Sequence, residues 1–179
     1  MSTEGIAEVQ VGPGTLAEPQ VQRLLVLSEE YSRSLYPPGS VHVLPIAELS
    51  KPNVYLRVAR DGVTVLGCAA LVVQDSESAE IKRMFVDPAV RRRGLGALLL
   101  GNLESIARER RVCTLLLETG VSQPEAIALY RKAGFFERGP FGTYQEDPLS
   151  VFMEKRLEPW LMCEPALPTL ASKERRYLG

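Results

Sequence analysis

The 179-residue sequence predicts an α/β (α+β) fold: a mixed, mostly antiparallel sheet of about seven strands, flanked by helices. Two observations carry this. Val54 to Ala59 and Val63 to Val73 are strand-like runs on either side of Arg60-Asp61-Gly62, a strong hairpin signal and therefore an antiparallel pair. Farther along, a strand-like run at 79–86, an apolar-striped helix and a second apolar run at 112–118 follow one another as a βαβ unit. Such a unit requires one parallel, right-handed crossover.

The elements follow in order. Ile6 to Val11 alternates weakly and is expected to form the first strand. Ala17 to Tyr36 has helical spacing at Val21, Leu24, Leu25, Leu27 and Tyr31, and Tyr36-Pro37-Pro38-Gly39 stops it. Residues 40–52 are punctuated by proline and leave room for one short helix. After the hairpin, the polar turn Gln74 to Ser78 leads into the strand at 79–86. The helix from about Gly94 to Arg110 puts Leu95, Leu99, Leu103 and Ile106 on one stripe and gathers arginines at its C-terminal end, which suits cations. Val112 to Glu118 is nearly continuously apolar, as in a strand covered on both faces. A helix at 124–133 follows, then Phe135 to Arg138 and Ser150 to Arg156 as a closing antiparallel pair. One domain spans 1–157. The tail, 158–179, combines Pro159, Pro165 and Pro168 with apolar Trp160, Leu161 and Met162, and reads as a flexible terminus or a packed arm.

Composition narrows the function classes. The chain is one domain's worth, 45% hydrophobic and 24% charged, long enough to bury a good core. A net charge of −1 supplies no global basic field for nucleic acid. No apolar run approaches the roughly 20 residues of a membrane span, and the first ten residues lack signal-peptide features, so a cytoplasmic location is expected. Cys68, Cys113 and Cys163 are odd in number and far apart, which indicates neither a disulfide framework nor a zinc site; Cys68 and Cys113 are expected in the core. His42 is the only histidine, so a His-based triad or a multi-His metal site would rest on it alone.

The most informative stretch runs from Glu80 to Gly96. A strand-like run ends in a proline turn, and then Arg91, Arg92 and Arg93 precede Gly94-Leu95-Gly96 at a helix start. Cations there oppose the helix dipole unless an anion lies between them and the first amides. Free N–H groups, the positive dipole end and glycines that admit close approach together make a phosphate cradle. A dinucleotide fingerprint would need glycine at Leu99, and no Gly-Lys-Ser/Thr of a P-loop is present. The plainer alternative is an exposed basic turn before a core helix.

What remains, Arg91-x-x-Gly94-x-Gly96, resembles the acyl-coenzyme A signature of the GNAT superfamily of acetyl-CoA-dependent N-acetyltransferases. Gln123-Pro-Glu-Ala-Ile-Ala-Leu-Tyr-Arg-Lys-Ala-Gly-Phe135 resembles the later motif of that family, in which an Asn-x-x-Ala helix carries Leu-Tyr and ends at Gly-Phe. Here Gln123 stands where the family usually has Asn. The resemblance covers about residues 53 to 157. It implies the GNAT fold, acetyl-CoA as cofactor and direct transfer through a tetrahedral intermediate.

The resemblance also nominates site residues. Arg91, Arg92, Arg93, Gly94, Leu95, Gly96, Ala97 and Gln123 would hold the cofactor. The main chain of Phe85 and Val86 would pair with its pantetheine arm, and the Met84 amide, beside a bulge, would face the oxyanion. Glu80 stands eleven residues before the signature, where histone-type members carry a catalytic glutamate. Pairing with Lys82, on the same strand face, is its structural alternative and would suit a water relay better than direct deprotonation. Tyr130 shares a stripe with Ala126, Leu129 and Ala133, as a core tyrosine would, but its match to the family's Leu-Tyr makes it the general-acid candidate. For the acceptor, the family's geometry nominates Tyr31, Arg33, Tyr36, His42, Phe141 and Tyr144. Lys82 and Arg83 are cations in a strand expected to be central, and one of them would meet an acceptor carboxylate; a charge reaching the cofactor or solvent is the alternative. The expected activity is acetylation of a primary amine on a small molecule, an amino acid-like acceptor being the narrower case, by a monomer or homodimer without nucleic acid or membrane partners. A protein N-terminus or lysine as acceptor, and a non-catalytic acyl-CoA-binding module, are the rivals.

Overall fold

Register decides this fold, and a single extra residue in one central strand opens its site. The computed structural model describes residues 9–157. Its strands are β1 (Gln10–Pro13), β2 (Val54–Asp61), β3 (Thr64–Val73), β4 (Ser78–Val86), β5 (Thr114–Gly120), β6 (Phe136–Arg138) and β7 (Ser150–Arg156). Its helices are α1 (Pro19–Leu35), α2 (Leu95–Glu109) and α3 (Pro124–Lys132). The seven strands form one sheet in the order β1-β2-β3-β4-β5-β7-β6, with β4–β5 its parallel pair. All other neighbours are antiparallel.

Local chemistry sets the boundaries. Proline opens α1 at its first position, where a missing N–H costs nothing, and Tyr36-Pro37 ends it, because the residue before proline disfavours helix. Among the described residues the first strand starts at Gln10: Val11 pairs with Ala59 and the ladder continues to Pro13. Residues 6–8 and the tail 158–179 lie outside the described residues. The one short helix expected in 40–52 is a 3₁₀ turn, Ile46–Ser50, and another 3₁₀ turn, Pro38–Ser40, leads into that stretch.

Two cores flank the sheet. On one face, Leu95, Leu99, Leu103 and Ile106 of α2 and Tyr130 of α3 pack against Leu71, Ile81, Leu115, Leu117 and Met153. On the other, Val21, Leu24 and Leu25 of α1 pack on Val58, Cys68, Ala70 and Phe85. Full burial of one such leucine contributes about 1.5–3 kcal/mol. Cys68 is fully buried, whereas Cys113, expected in the core, is only half-buried at the entry to β5.

The opening lies in β4. Cys68 pairs with Phe85 and Ala70 with Lys82, so Ala69 alone faces both Arg83 and Met84. Arg83 takes φ +56°, the left-handed conformation of a bulged strand. The β4–β5 ladder runs from Ser78–Thr114 to Ile81–Leu117 and stops there. Beyond it, β4 stays with β3 while β5 continues with β7 to Gly120. The two central strands part, and a cleft forms between them.

Candidate active site

The cleft is a cavity of about 140 Å³, and both faces of the sheet contribute to its walls. Ser28, Ser32 and Tyr36 come from α1 and its end, Lys82 and Met84 from the bulge, Glu118 and Gly120 from β5, and Tyr130 from α3. His42 and Gln123 also line it.

Glu80 and Lys82 lie two residues apart on one strand face, as period 2 requires, and they pair: Nζ is 3.0 Å from Oε1. Tyr144, from the β6–β7 loop, donates its phenol to the same Oε1 at 2.6 Å, and Gln74 donates to Oε2 at 3.2 Å. Lys82 also donates to the Tyr144 oxygen and, at 3.3 Å, to the carbonyl of His42. All three ammonium protons thus have acceptors. Burial, and next the Glu80 carboxylate, push the Tyr144 phenol well above its ordinary value, so it keeps its proton. Phe141 and Phe152 hold the Tyr144 ring at centroid distances of 5.0 and 5.3 Å.

Arg83 is differently employed. Its side chain is 1% exposed and pairs with Glu29 at 2.6 Å, while Nε donates to the Leu44 carbonyl at 2.7 Å and Nη1 to that of Leu25 at 3.4 Å. The two cations of β4 were expected to leave charge free for an acceptor carboxylate. Each instead has its own carboxylate, and Arg83 fastens α1 and the 41–45 segment to the bulge.

Glu118 is the residue that sequence reasoning passed over. It forms no ion pair among the described residues and accepts one hydrogen bond, from Ser150 Oγ at 2.7 Å. Burial raises its carboxyl above the ordinary range, with the Ser150 bond and the charges of His42 and Lys82 pulling the other way. The signal was present: one charged residue closing an otherwise apolar central strand. Across the opened strands, Tyr130 is buried, and burial followed by the Glu118 charge holds its phenol well above its usual value. Its ring meets Phe135 at 5.7 Å.

Tyr36 does line the cleft, and it also closes a contact between α1 and the β5–α3 turn. Its oxygen accepts the Ser122 amide at 3.0 Å, and its ring lies so close over Gly120 that a Cβ there would meet Cζ at 2.1 Å. His42 sits edge-on to Tyr144 at 5.3 Å, with Nε2 3.8 Å from Asp147 Oδ2. Arg33 is exposed on the last turn of α1, and Phe141 serves as packing for Tyr144. Tyr31, nominated for the acceptor side, lies elsewhere, against Phe85 and Arg91.

At the start of α2, Gly94 adopts φ +80°, a conformation that favours glycine, and the first helical hydrogen bond runs from the Leu98 amide to its carbonyl. The amides of Leu95, Gly96 and Ala97 precede that bond and have no side-chain cap, as an anion site needs. Arg91 uses one donor, Nε to the Val86 carbonyl at 3.2 Å. Arg92 and Arg93 are exposed, Arg92 lying 3.9 Å from Glu125. Gly96 also has a packing reason: a Cβ there would lie 2.9 Å from Leu129 Cδ2, so this glycine lets α2 lie against α3.

A bulged, parted strand pair beside an uncapped, arginine-flanked helix start can take a phosphorylated acyl carrier. Comparison with known proteins decides the family: the model of the acetyltransferase (GNAT) family matches residues 21–135. The chain belongs to the GNAT family. It is an acetyl-CoA-dependent N-acetyltransferase. An IAA acetyltransferase of Azospirillum brasilense is 48% identical over 139 residues, 76% of this chain and 90% of that one. The crystal structure of a Klebsiella pneumoniae protein assigned as an acyl-CoA N-acyltransferase has a TM-score of 0.71 at 35% identity, covering 84% of this chain and 99% of its own. A GNAT acetyltransferase from Elizabethkingia anophelis, crystallised with acetyl-CoA bound, shares the fold at 22% identity (TM-score 0.62, over 83% of this chain and 98% of its own). No helix among the described residues is long and apolar enough to cross a membrane.

Proposed function

We propose that this GNAT enzyme acetylates the primary amine of a small molecule, and that Glu118, rather than Glu80, takes the proton from that amine. The observation that carries the reading is the contrast between the two carboxylates. Glu80 is engaged by Lys82, Tyr144 and Gln74, whereas Glu118 faces the cleft with one hydrogen bond and no ion pair among the described residues. An alkylammonium, with pKa near 10, must lose a proton before it can attack, and a carboxylate whose affinity for protons is raised by burial suits that task. Glu80 then serves as a positioning residue that fixes Lys82 and Tyr144 at the acceptor wall.

When bound, acetyl-CoA supplies the acetyl thioester. Arg91, Gly94 and the amides of Leu95, Gly96 and Ala97 would hold its phosphates, with Arg92, Arg93 and Gln123 at the edge. The parted edge of β4 at Met84, Phe85 and Val86 would bind its arm. Tyr130 holds a proton at Oη that a departing sulfur can receive, and its buried phenol stays neutral at any working pH. Tyr36, His42 and Tyr144 bound the acceptor side.

An amino acid-like acceptor loses its support, because Lys82 and Arg83 are already paired. Glu118, the lining carboxylate without an ion pair among the described residues, favours a cationic amine with or without a carboxylate. A coenzyme A-release assay over monoamines, polyamines, amino acids, their amides and N-terminal peptides tests this; the relative's name adds IAA to the panel. Turnover of a small amine, undiminished when a carboxylate is amidated, is expected. Turnover of peptides alone would assign the acceptor to protein.

A further inference from the structure

Tyr31 was expected at the acceptor side, yet it does not line the cleft. It sits on α1 with its ring 6.2 Å from that of Phe85, and the Arg91 guanidinium lies over both rings, 5.2 Å from the Tyr31 centroid and 5.5 Å from that of Phe85. Both rings therefore present faces to one cation, the arrangement in which the ring quadrupole attracts charge. The Arg91 Nε is committed to the Val86 carbonyl, and the terminal nitrogens have no hydrogen-bond partner among the described residues. A long side chain held at its stem and along its plane, with its end groups unspent, is ordered before an anion arrives. Ordering in advance reduces the entropy lost on binding.

We propose that Tyr31 is a positioning residue for the cofactor: together with Phe85 it holds the Arg91 guanidinium in place for the pyrophosphate of acetyl-CoA. The inference rests on the reading that Arg91 binds phosphate. It ties α1 to the cofactor cradle through one stacked arginine, so α1 contributes to both halves of the site, with Ser28, Ser32 and Tyr36 toward the acceptor and Tyr31 toward the phosphates. The Tyr31 hydroxyl has no part in it; the aromatic face does.

The test uses Tyr31→Leu, which keeps apolar bulk but removes the ring face, Tyr31→Phe, which keeps the face, and Arg91→Ala. Calorimetry with coenzyme A reads cofactor affinity without turnover, and thermal unfolding is recorded alongside. Tyr31→Leu should weaken coenzyme A binding about two- to fivefold, the scale of an exposed cation–π contact, and Tyr31→Phe should bind as the wild type does. KM for acetyl-pantetheine, which lacks the pyrophosphate, should be unchanged in both. In an Arg91→Ala background, Tyr31→Leu should cost nothing further. Wild-type affinity in Tyr31→Leu, with Arg91→Ala weakened, would overturn the positioning role alone. A loss shared equally by acetyl-pantetheine would overturn it as general damage to α1. Wild-type affinity in Arg91→Ala would overturn both this proposal and the phosphate reading beneath it.

Discussion

Replacing Gly120 with alanine should unseat Tyr36. An ideal Cβ at position 120 would lie 2.0 Å from the Tyr36 oxygen, 2.1 Å from Cζ and 2.7 Å from Cε2. Ordinary carbon contacts begin near 3.5 Å, so the ring must retreat by roughly 1.5 Å. That retreat breaks the 3.0 Å bond from the Ser122 amide to the phenol oxygen. Overpacking costs about 1–3 kcal/mol, and the lost hydrogen bond, to the amide of an exposed residue, about 0.5–1.5 kcal/mol more. The lower chain entropy of alanine in the unfolded state offsets about 0.4–1 kcal/mol, leaving a loss of about 1–4 kcal/mol from a total of about 5–15. Gly120 does not occupy a positive φ, so no backbone strain confuses the comparison. Urea unfolding measures the loss, and a Tyr36→Ala/Gly120→Ala double mutant isolates its cause: with the ring gone, the alanine should cost almost nothing. A single mutant within 0.5 kcal/mol of wild type, or full additivity in the double mutant, would refute the overlap as the reason for this glycine.

Three further outcomes are expected. Glu118→Gln should lower kcat by roughly 10²-fold or more, with the deficit narrowing at high pH where the amine deprotonates unaided. Because burial raises the folded-state pKa of Glu118, the wild type loses stability from this group as pH rises from its unfolded value of about 4.5 through the folded value; the glutamine variant should gain on it over that window, and calorimetric melts in which it loses ground would reject the assignment. Tyr130→Phe should bind coenzyme A normally and lower kcat by about 10²-fold, without removing a basic limb from the pH profile, since the phenol does not ionise in range; an unchanged kcat would make it a core tyrosine only. Arg83→Met should destabilise by about 2 kcal/mol or more, because it strips Glu29 and two carbonyls of a buried donor, yet leave KM for a carboxylate-bearing amine no worse than for its amide; a selective rise would return Arg83 to the acceptor site.

Much of the fold was legible because its cues are local or periodic. Arg60-Asp61-Gly62 marked the β2–β3 hairpin, and the succession of strand, helix and apolar strand marked the β4–β5 crossover. The site was legible only where a motif names it. The cradle followed from Arg91, Gly94 and Gly96, but which carboxylate stays free depends on who else reaches the cleft. Tyr144 arrives from 64 residues beyond Glu80, and Glu29 lies 54 residues before Arg83. No spacing rule connects those pairs, so Arg83, which looked unpaired in sequence, is paired in space, whereas the Glu80–Lys82 pair follows from the period of the strand. Tyr31 illustrates the same limit: its helical face was predictable, but the arginine beneath it was not.

Under the roles proposed for them, the two carboxylates are set apart by one bulge. Glu80 lies where β4 and β5 still share a ladder, so Lys82, Tyr144 and Gln74 can converge on a fixed strand and occupy its oxygens. Glu118 lies one step beyond the end of that ladder, where β4 has bent away and taken its bonding groups with it. Had β4 stayed straight, Lys82 and Arg83 would have alternated faces. The bulge instead gives each cation a carboxylate of its own, and Glu118, though it feels the Lys82 charge, stays desolvated beside the gap without an ion pair among the described residues. Environments that treat two neighbouring acids this differently are how a fold assigns separate roles to chemically identical groups. Under the role proposed for Glu118, the left-handed residue at 83 matters for the chemistry without touching a reactant, because the parting of the strands beside Glu118 follows from it.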